Sequence, residues 1–90
     1  MAFISARGLS LRRGLTEANP FESSLKEIMV ANSRRVVALI DASKLERTAL
    51  SFFAPVTAID VLVTDDGADP WVVAQLREAG LQVHVATVTP

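Results

Sequence analysis

The stretch Val36-Val37-Ala38-Leu39-Ile40-Asp41-Ala42-Ser43-Lys44 decides the fold. Five apolar residues run without interruption and stop at an aspartate. A short apolar run with this boundary is the pattern of a strand covered on both faces in a parallel sheet. Downstream, Val61–Val63 repeats the pattern and stops at Thr64, Asp65 and Asp66. Gln82–Ala86 makes a third strand, with Val83 and Val85 on one face and Gln82 and His84 on the other. Upstream, Ala2–Ser5 reads as a short strand, followed by a turn-rich stretch punctuated by Gly8 and Gly14.

Two helices fit between these strands. The first spans about Pro20 to Asn32. Asn19 caps it, Pro20 suits the first helical position, and Glu22 completes an Asn-x-x-Glu capping box. Phe21, Leu25, Ile28 and Met29 recur at helical spacing and predict one buried apolar face, with Glu22 and Lys26 paired at i,i+4 on another. The second runs from Pro70 to about Ala79, capped by Asp69, with Val72, Val73 and Leu76 toward the sheet. Gly80 stands at the left-handed position after its end, with Leu81 in reach of Leu76. Between Asp41 and Asp60 the residues allow two readings. Ser43-Lys44-Leu45-Glu46 fits a capping box, and Leu45, Ala49, Phe52 and Phe53 fit a helical face ended by Pro55; an irregular or extended segment fits as well. The economical arrangement is β–α–β, a crossover, then β–α–β with right-handed connections. That is an α/β domain, a mainly parallel sheet flanked by helices in partial Rossmann-like order.

Composition narrows the function. The chain has 90 residues, half of them apolar, with a mean hydropathy of +0.34, which is one globular domain or less. The absence of cysteine excludes disulfides and thiolate metal sites, and His84 alone makes no zinc centre. No cofactor is expected. The longest apolar run is far below the roughly 18 residues of a membrane span, so a soluble, cytoplasmic chain without membrane contact is expected. A net charge of −1 argues against a polyanion-binding surface. The charge is nevertheless uneven: residues 1–47 carry eight Lys/Arg against five Asp/Glu, whereas residues 48–90 carry only Arg77 against five acids. Such a division suits a cleft for a small polar anion as well as it suits surface scatter.

In open parallel α/β sheets, ligands bind beyond the carboxyl ends of the strands. Here those ends carry Asp41-Ala42-Ser43-Lys44 and Thr64-Asp65-Asp66-Gly67. Lys44 offers a point charge to a phosphate or carboxylate, and Ser43 and Thr64 offer hydroxyls. Asp41 and Asp65 accept from sugar hydroxyls or exchange protons. Ser43 and Asp69 also suit plain capping roles, Asp41–Lys44 suits a local salt bridge, and Arg7, Arg12 and Arg13 suit solvent more than contact with an anionic ligand. No Walker loop, GxGxxG, GxSxG or HExxH is present.

Four segments in register resemble the carboxyl-terminal part of DeoR-type transcriptional regulators. They are Phe3–Ser10 with Gly14-Leu15-Thr16; Asn19-Pro20-Phe21-Glu22 with Lys26; Val36–Ile40 with Asp41-Ala42-Ser43-Lys44; and Ile59-Asp60-Val61-Leu62-Val63-Thr64-Asp65. Leu76–Val83 looks like the family's last helix and strand. The resemblance covers roughly residues 3–86. It implies a sensor domain, similar in fold to ribose-5-phosphate isomerase and the sugar-phosphate deaminases, that binds a phosphorylated sugar or related metabolite and alters the DNA grip of an attached winged helix-turn-helix. Carried onto this chain, the ligand-side candidates are Asp41, Ser43, Lys44 and Asp65, with Gly8 and Glu22 as further ones. Leu45-Glu46 departs from the Phe-Gly that commonly follows the family's lysine.

The resemblance thus predicts residues 1–90 to be a single partial domain, the last third of such a regulator, with no helix-turn-helix of its own. DNA contact would then come only through an amino-terminal module outside this sequence, and a homo-oligomer is expected. A small sugar-phosphate isomerase-like enzyme, with Asp41 or Asp65 as base, is the alternative.

Overall fold

The Val36 run forms a strand, and three further strands align with it. The computed structural model describes residues 1–88. Its elements are β1 (Ala2–Ile4), β2 (Gly8–Ser10), β3 (Gly14–Glu17), α1 (Pro20–Ala31), β4 (Val36–Leu39), β5 (Ser51–Ala54), β6 (Val61–Asp65), α2 (Pro70–Glu78) and β7 (Gln82–Ala86). Single 3₁₀ turns occupy Ala42–Lys44 and Val56–Ala58. The main sheet has the order β1-β4-β6-β7 and is parallel throughout, as its apolar runs predict.

An order that advances steadily in one direction places successive right-handed crossovers on the same face. The core lies on that face. Ala2, Ile4, Val36, Ala38, Leu62 and Val83 pack there against Val73 and Leu76 of α2 and against Leu9, Leu15 and Phe53. On the opposite face Phe3, Leu39 and His84 are exposed. The far face of β4 is therefore covered in part: Val37 is buried there beside Val61, as the run suggested, and Leu39 is exposed. Val85, on the same face of β7 as the buried Val83, is exposed.

A second, antiparallel sheet, β2-β3-β5, replaces the expected turn-rich stretch, and of the two readings of the segment before Asp60 the extended one holds over Ser51–Ala54. β2 and β3 pair as a hairpin, Leu9 opposite Leu15, and the Ser10 hydroxyl accepts the Arg13 N–H across the turn at 2.9 Å. β5 then adds to the free edge of β3, with Phe53 and Ala54 buried and Phe52 exposed. Strands of three and four residues offer too few alternations to show a period of two. The pairing edge of β3 and the core site for Phe53 override the helical spacing of 45–53.

Both helices start and stop as their sequences predict. Asn19 Oδ1 accepts the Glu22 N–H at 2.9 Å, and Asp69 Oδ1 accepts the Trp71 N–H at 2.8 Å. At the end of α2, Gly80 takes φ +104°, its N–H reaches the Arg77 carbonyl, and the Leu81 N–H reaches the Leu76 carbonyl at 3.2 Å. This is a Schellman motif with its Leu81–Leu76 side chains buried. The face of α1 is a correction. Phe21, Leu25, Ile28 and Met29 are exposed, and α1 turns Ser23, Lys26 and Val30 inward instead. Ser23 Oγ and Ser51 Oγ lie 2.7 Å apart, joining the helix to β5. The expected Glu22–Lys26 pair is also replaced: Lys26 reaches Glu17 on β3 at 2.5 Å.

Candidate functional site

The carboxyl ends of β1 and β4 frame a hollow of about 410 Å³, lined by Arg7, Ala18, Ser43, Lys44, Arg47 and Ala49. Three cations from two loops, Arg7 from one and Lys44 and Arg47 from the other, thus share a hollow with Ser43 where the topology predicts a ligand. Ser43 and Lys44 were anticipated there. Arg47 was not, because its loop folds back through a turn that spacing alone does not reveal. Arg7, read as suiting solvent or an anionic ligand, is exposed and lines the hollow. Among the described residues neither arginine takes part in a salt bridge.

Asp41 stands beside the hollow and organises it. Its Oδ2 accepts from the Ser43 hydroxyl and its Oδ1 from Lys44 Nζ, the latter at 2.6 Å. The Lys44 hydrogen bond, then that of Ser43, holds the Asp41 carboxyl down to about 2. One of three Lys44 donors is used in this way, leaving two for a ligand. Asp65, expected to touch a ligand directly, is occupied by backbone. Its Oδ2 accepts the Ala42 N–H and its Oδ1 the Gly67 N–H, each at 2.9 Å. Asp65 therefore ties the loop after β6 to the turn that carries Ser43 and Lys44. Thr64 is buried and does not line the hollow.

Gly8 serves packing. A Cβ there would lie 2.4 Å from the Arg47 carbonyl oxygen and 2.8 Å from Thr16 Oγ1, so only glycine lets β2 pass beneath the Arg47 loop. That loop is held by a parallel bridge between Leu9 and Leu45 and by the Glu46 N–H donating to the Leu9 carbonyl at 2.7 Å. Glu46 takes φ +60°, the left-handed value that a glycine adopts freely. The departure from Phe-Gly thus leaves a glycine-type turn in place.

Glu22, also a candidate, lines a second hollow of about 390 Å³ with Ser5, Arg7, Glu17, Leu25, Lys26 and Met29. Glu17 is buried; burial alone raises its carboxyl, but hydrogen bonds from Lys26 and the Ala18 N–H outweigh that and hold it below 4.5. A further hollow, beside Arg12 and Arg13, is lined by Pro55–Thr57 and Ala79, which lead into β6 and β7. It lies at the amino ends of the strands and is mainly apolar-walled, so it fits the topology less well. Among the described residues no cluster of three or more His, Cys, Asp or Glu is placed to hold a metal, and no helix is long and apolar enough to cross a membrane.

Comparison with known proteins bears on this geometry. The family model described as the DeoR C terminal sensor domain matches residues 1–66. The HTH-type transcriptional regulator GolR of Listeria innocua is 30% identical over 86 residues, which is 96% of this chain and 34% of GolR. The HTH-type transcriptional regulator GlpR of Haloferax volcanii is 34% identical over 83 residues, 92% of this chain and 32% of GlpR. A putative sgc region transcriptional regulator of Escherichia coli K12 is 32% identical over 84 residues, 93% of this chain and 32% of that protein. The chain spans about a third of the length of these curated relatives. A sensor-domain family rather than an enzyme family removes the isomerase-like alternative. The fold, the strand-end loops and the match over residues 1–66 agree: this chain belongs to the DeoR C-terminal sensor domain family.

Proposed function

We propose that this chain is the effector-sensing portion of a DeoR-family regulator of carbohydrate genes, and that its effector is a phosphorylated sugar. The observation that carries the reading is the hollow where Arg7, Lys44 and Arg47 converge beside the Ser43 hydroxyl. A phosphate presents several acceptor oxygens and about two negative charges, which three cations and a hydroxyl match. Asp41 and Asp65 act as positioning residues, one holding Lys44 and Ser43 and the other holding their turn. Gly8 gives the Arg47 loop its close approach. Contact with an operator belongs to a helix-turn-helix elsewhere in the regulator, and the working compartment is the cytoplasm.

Titration calorimetry with ribose 5-phosphate, glucose 6-phosphate and fructose 1-phosphate tests the reading. At least one should bind, and Lys44→Ala should weaken it by about tenfold to a hundredfold, the worth of one charge-assisted contact. The melting temperature should move by only a few degrees, since Lys44 is a surface residue paired with a half-exposed aspartate. Unchanged affinity with a large loss of stability would make Lys44 a structural partner of Asp41 and sink the assignment.

Self-association is part of the same proposal. The exposed stripe of Phe21, Leu25, Ile28 and Met29 supports it, as does the charge layout of α1. Glu22 lies in the first turn of the helix, and Arg34 and Arg35 follow its carboxyl end. Antiparallel pairing of two copies along this stripe brings each acidic end beside the partner's basic end.

A further inference from the structure

Arg12 and Arg13 stand in the tip of the β2–β3 hairpin, and two hollows meet at them. One, of about 410 Å³, extends over Leu11, Pro55, Val56 and Thr57. The other, of about 290 Å³, extends over Thr16, Thr48 and Leu50. Arg12, Arg13 and Phe52 line both, which makes them two lobes of one site. Only Ala49 is shared with the hollow of Arg7, Lys44 and Arg47. Among the described residues no acidic side chain lines either lobe, and neither arginine takes part in a salt bridge. The tip is also held in place. The Ser10 hydroxyl accepts the Arg13 N–H at 2.9 Å, and Gly14, at φ +76°, lies so close to β5 that a Cβ there would stand 2.3 Å from the Ala54 carbonyl oxygen. The two guanidiniums thus spring from a fixed backbone beside Phe52, whose side of the sheet is 56% exposed at that residue.

These side chains select a ligand by chemistry. Two guanidiniums suit the oxygens of a phosphate. The bare ring of Phe52 offers a face for stacking, which inorganic phosphate and a polyhydroxylated chain leave unused and a flat heteroaromatic ring occupies. Duplex DNA presents phosphates outward and keeps its base faces stacked inside, so it too leaves Phe52 and Leu50 in water. We propose that this site takes a nucleoside phosphate, a ligand distinct from the effector of the Lys44 hollow. Arg12 and Arg13 hold its phosphate and its base stacks on Phe52. Thr48 and Thr57, one in each lobe, offer hydroxyls to its sugar.

Calorimetry on the whole chain with AMP, ADP, adenosine, inorganic phosphate and a short DNA duplex as probes tests this. AMP or ADP should bind about tenfold or more tightly than adenosine or inorganic phosphate, because only the nucleotides use both the ring and the guanidiniums. Phe52→Ala should weaken the nucleotide by about fivefold to a hundredfold, the worth of one stacked base, and leave inorganic phosphate within about twofold. Phe52→Leu, which keeps apolar bulk on β5 but removes the ring, should show the same selectivity and serves if the alanine variant folds poorly. Arg12→Ala combined with Arg13→Ala should weaken the nucleotide and inorganic phosphate alike. Three results would overturn the proposal. One is no binding of either nucleotide at millimolar concentration. Another is a nucleotide lost in Lys44→Ala and kept in Phe52→Ala, which would put it in the effector hollow. The third is a duplex held through Arg12 and Arg13 in preference to the nucleotides. Failure of sugar phosphates to bind beside Lys44 would sink that reading alone.

Discussion

Asp41 shows how a residue chosen for chemistry does its work through geometry. Its two carboxylate oxygens are spent on Ser43 and Lys44, so its contribution to a ligand is to aim those two side chains. The same bonds hold its pKa at about 2 against an ordinary 3.8. A depressed carboxyl stabilises the fold fully above its unfolded value, and that contribution disappears as pH falls through the folded value. The arrangement around Lys44 should therefore persist from neutral pH to about pH 4 and dissolve only near pH 2. Because the side chain is half exposed, the effect on global stability should be small. Carboxyl-carbon NMR should find the Asp41 midpoint near 2, moving back toward 3.8 in Lys44→Ala. A midpoint unmoved by that substitution would show that Lys44 does not hold the carboxylate.

At the scale of elements, the informative piece is the turn after Lys44. Glu46 sits at φ +60° and closes the loop onto β2 through its own N–H. Its carboxylate also accepts the Leu11 N–H at 3.3 Å, a long and exposed bond that offsets little of the strain. A left-handed conformation costs a non-glycine residue about 1–2 kcal/mol. Glu46→Gly should thus be more stable than Glu46→Ala by about 1 kcal/mol, the reverse of their order in a helix. Urea denaturation of the two variants measures this; alanine equal to or better than glycine would refute a left-handed turn. The helices, by contrast, were legible because caps are local. Asn19, Asp69 and Gly80 each act within a few residues of themselves, through a side-chain acceptor or a permitted φ.

At the scale of the whole molecule, surface left uncovered by the fold sets the expected behaviour. Phe21 is 75% exposed and Ile28 59%, and the sheet's far face shows Phe3 and Leu39. Isolated apolar residues on a surface are ordinary, but a contiguous helical stripe marks a contact region. Sedimentation at micromolar concentrations should find a dimer or higher oligomer, and Leu25→Glu combined with Ile28→Glu should shift it to monomer. A stable, monodisperse monomer of the unsubstituted chain would count against self-association.

What the sequence determined by itself was whatever is encoded over short separations. That covers the parallel strands with their apolar runs, the capped ends of both helices, and the Asp41–Lys44 segment at a strand's carboxyl end. The tertiary structure alone decided three things. It selected which face of α1 is buried: Lys26 and Ser23 turn inward because Glu17, the Ser5 carbonyl and Ser51 lie there to receive their polar atoms. It built the second sheet, because residues 51–54 pair with 15–17 across more than thirty intervening positions. And it joined Arg7 and Arg47 to Ser43 and Lys44, a cluster that exists only once Gly8 lets β2 pass beneath the Arg47 carbonyl. Each is a meeting of residues distant in sequence, and local propensity and periodicity carry no information about partners at that range.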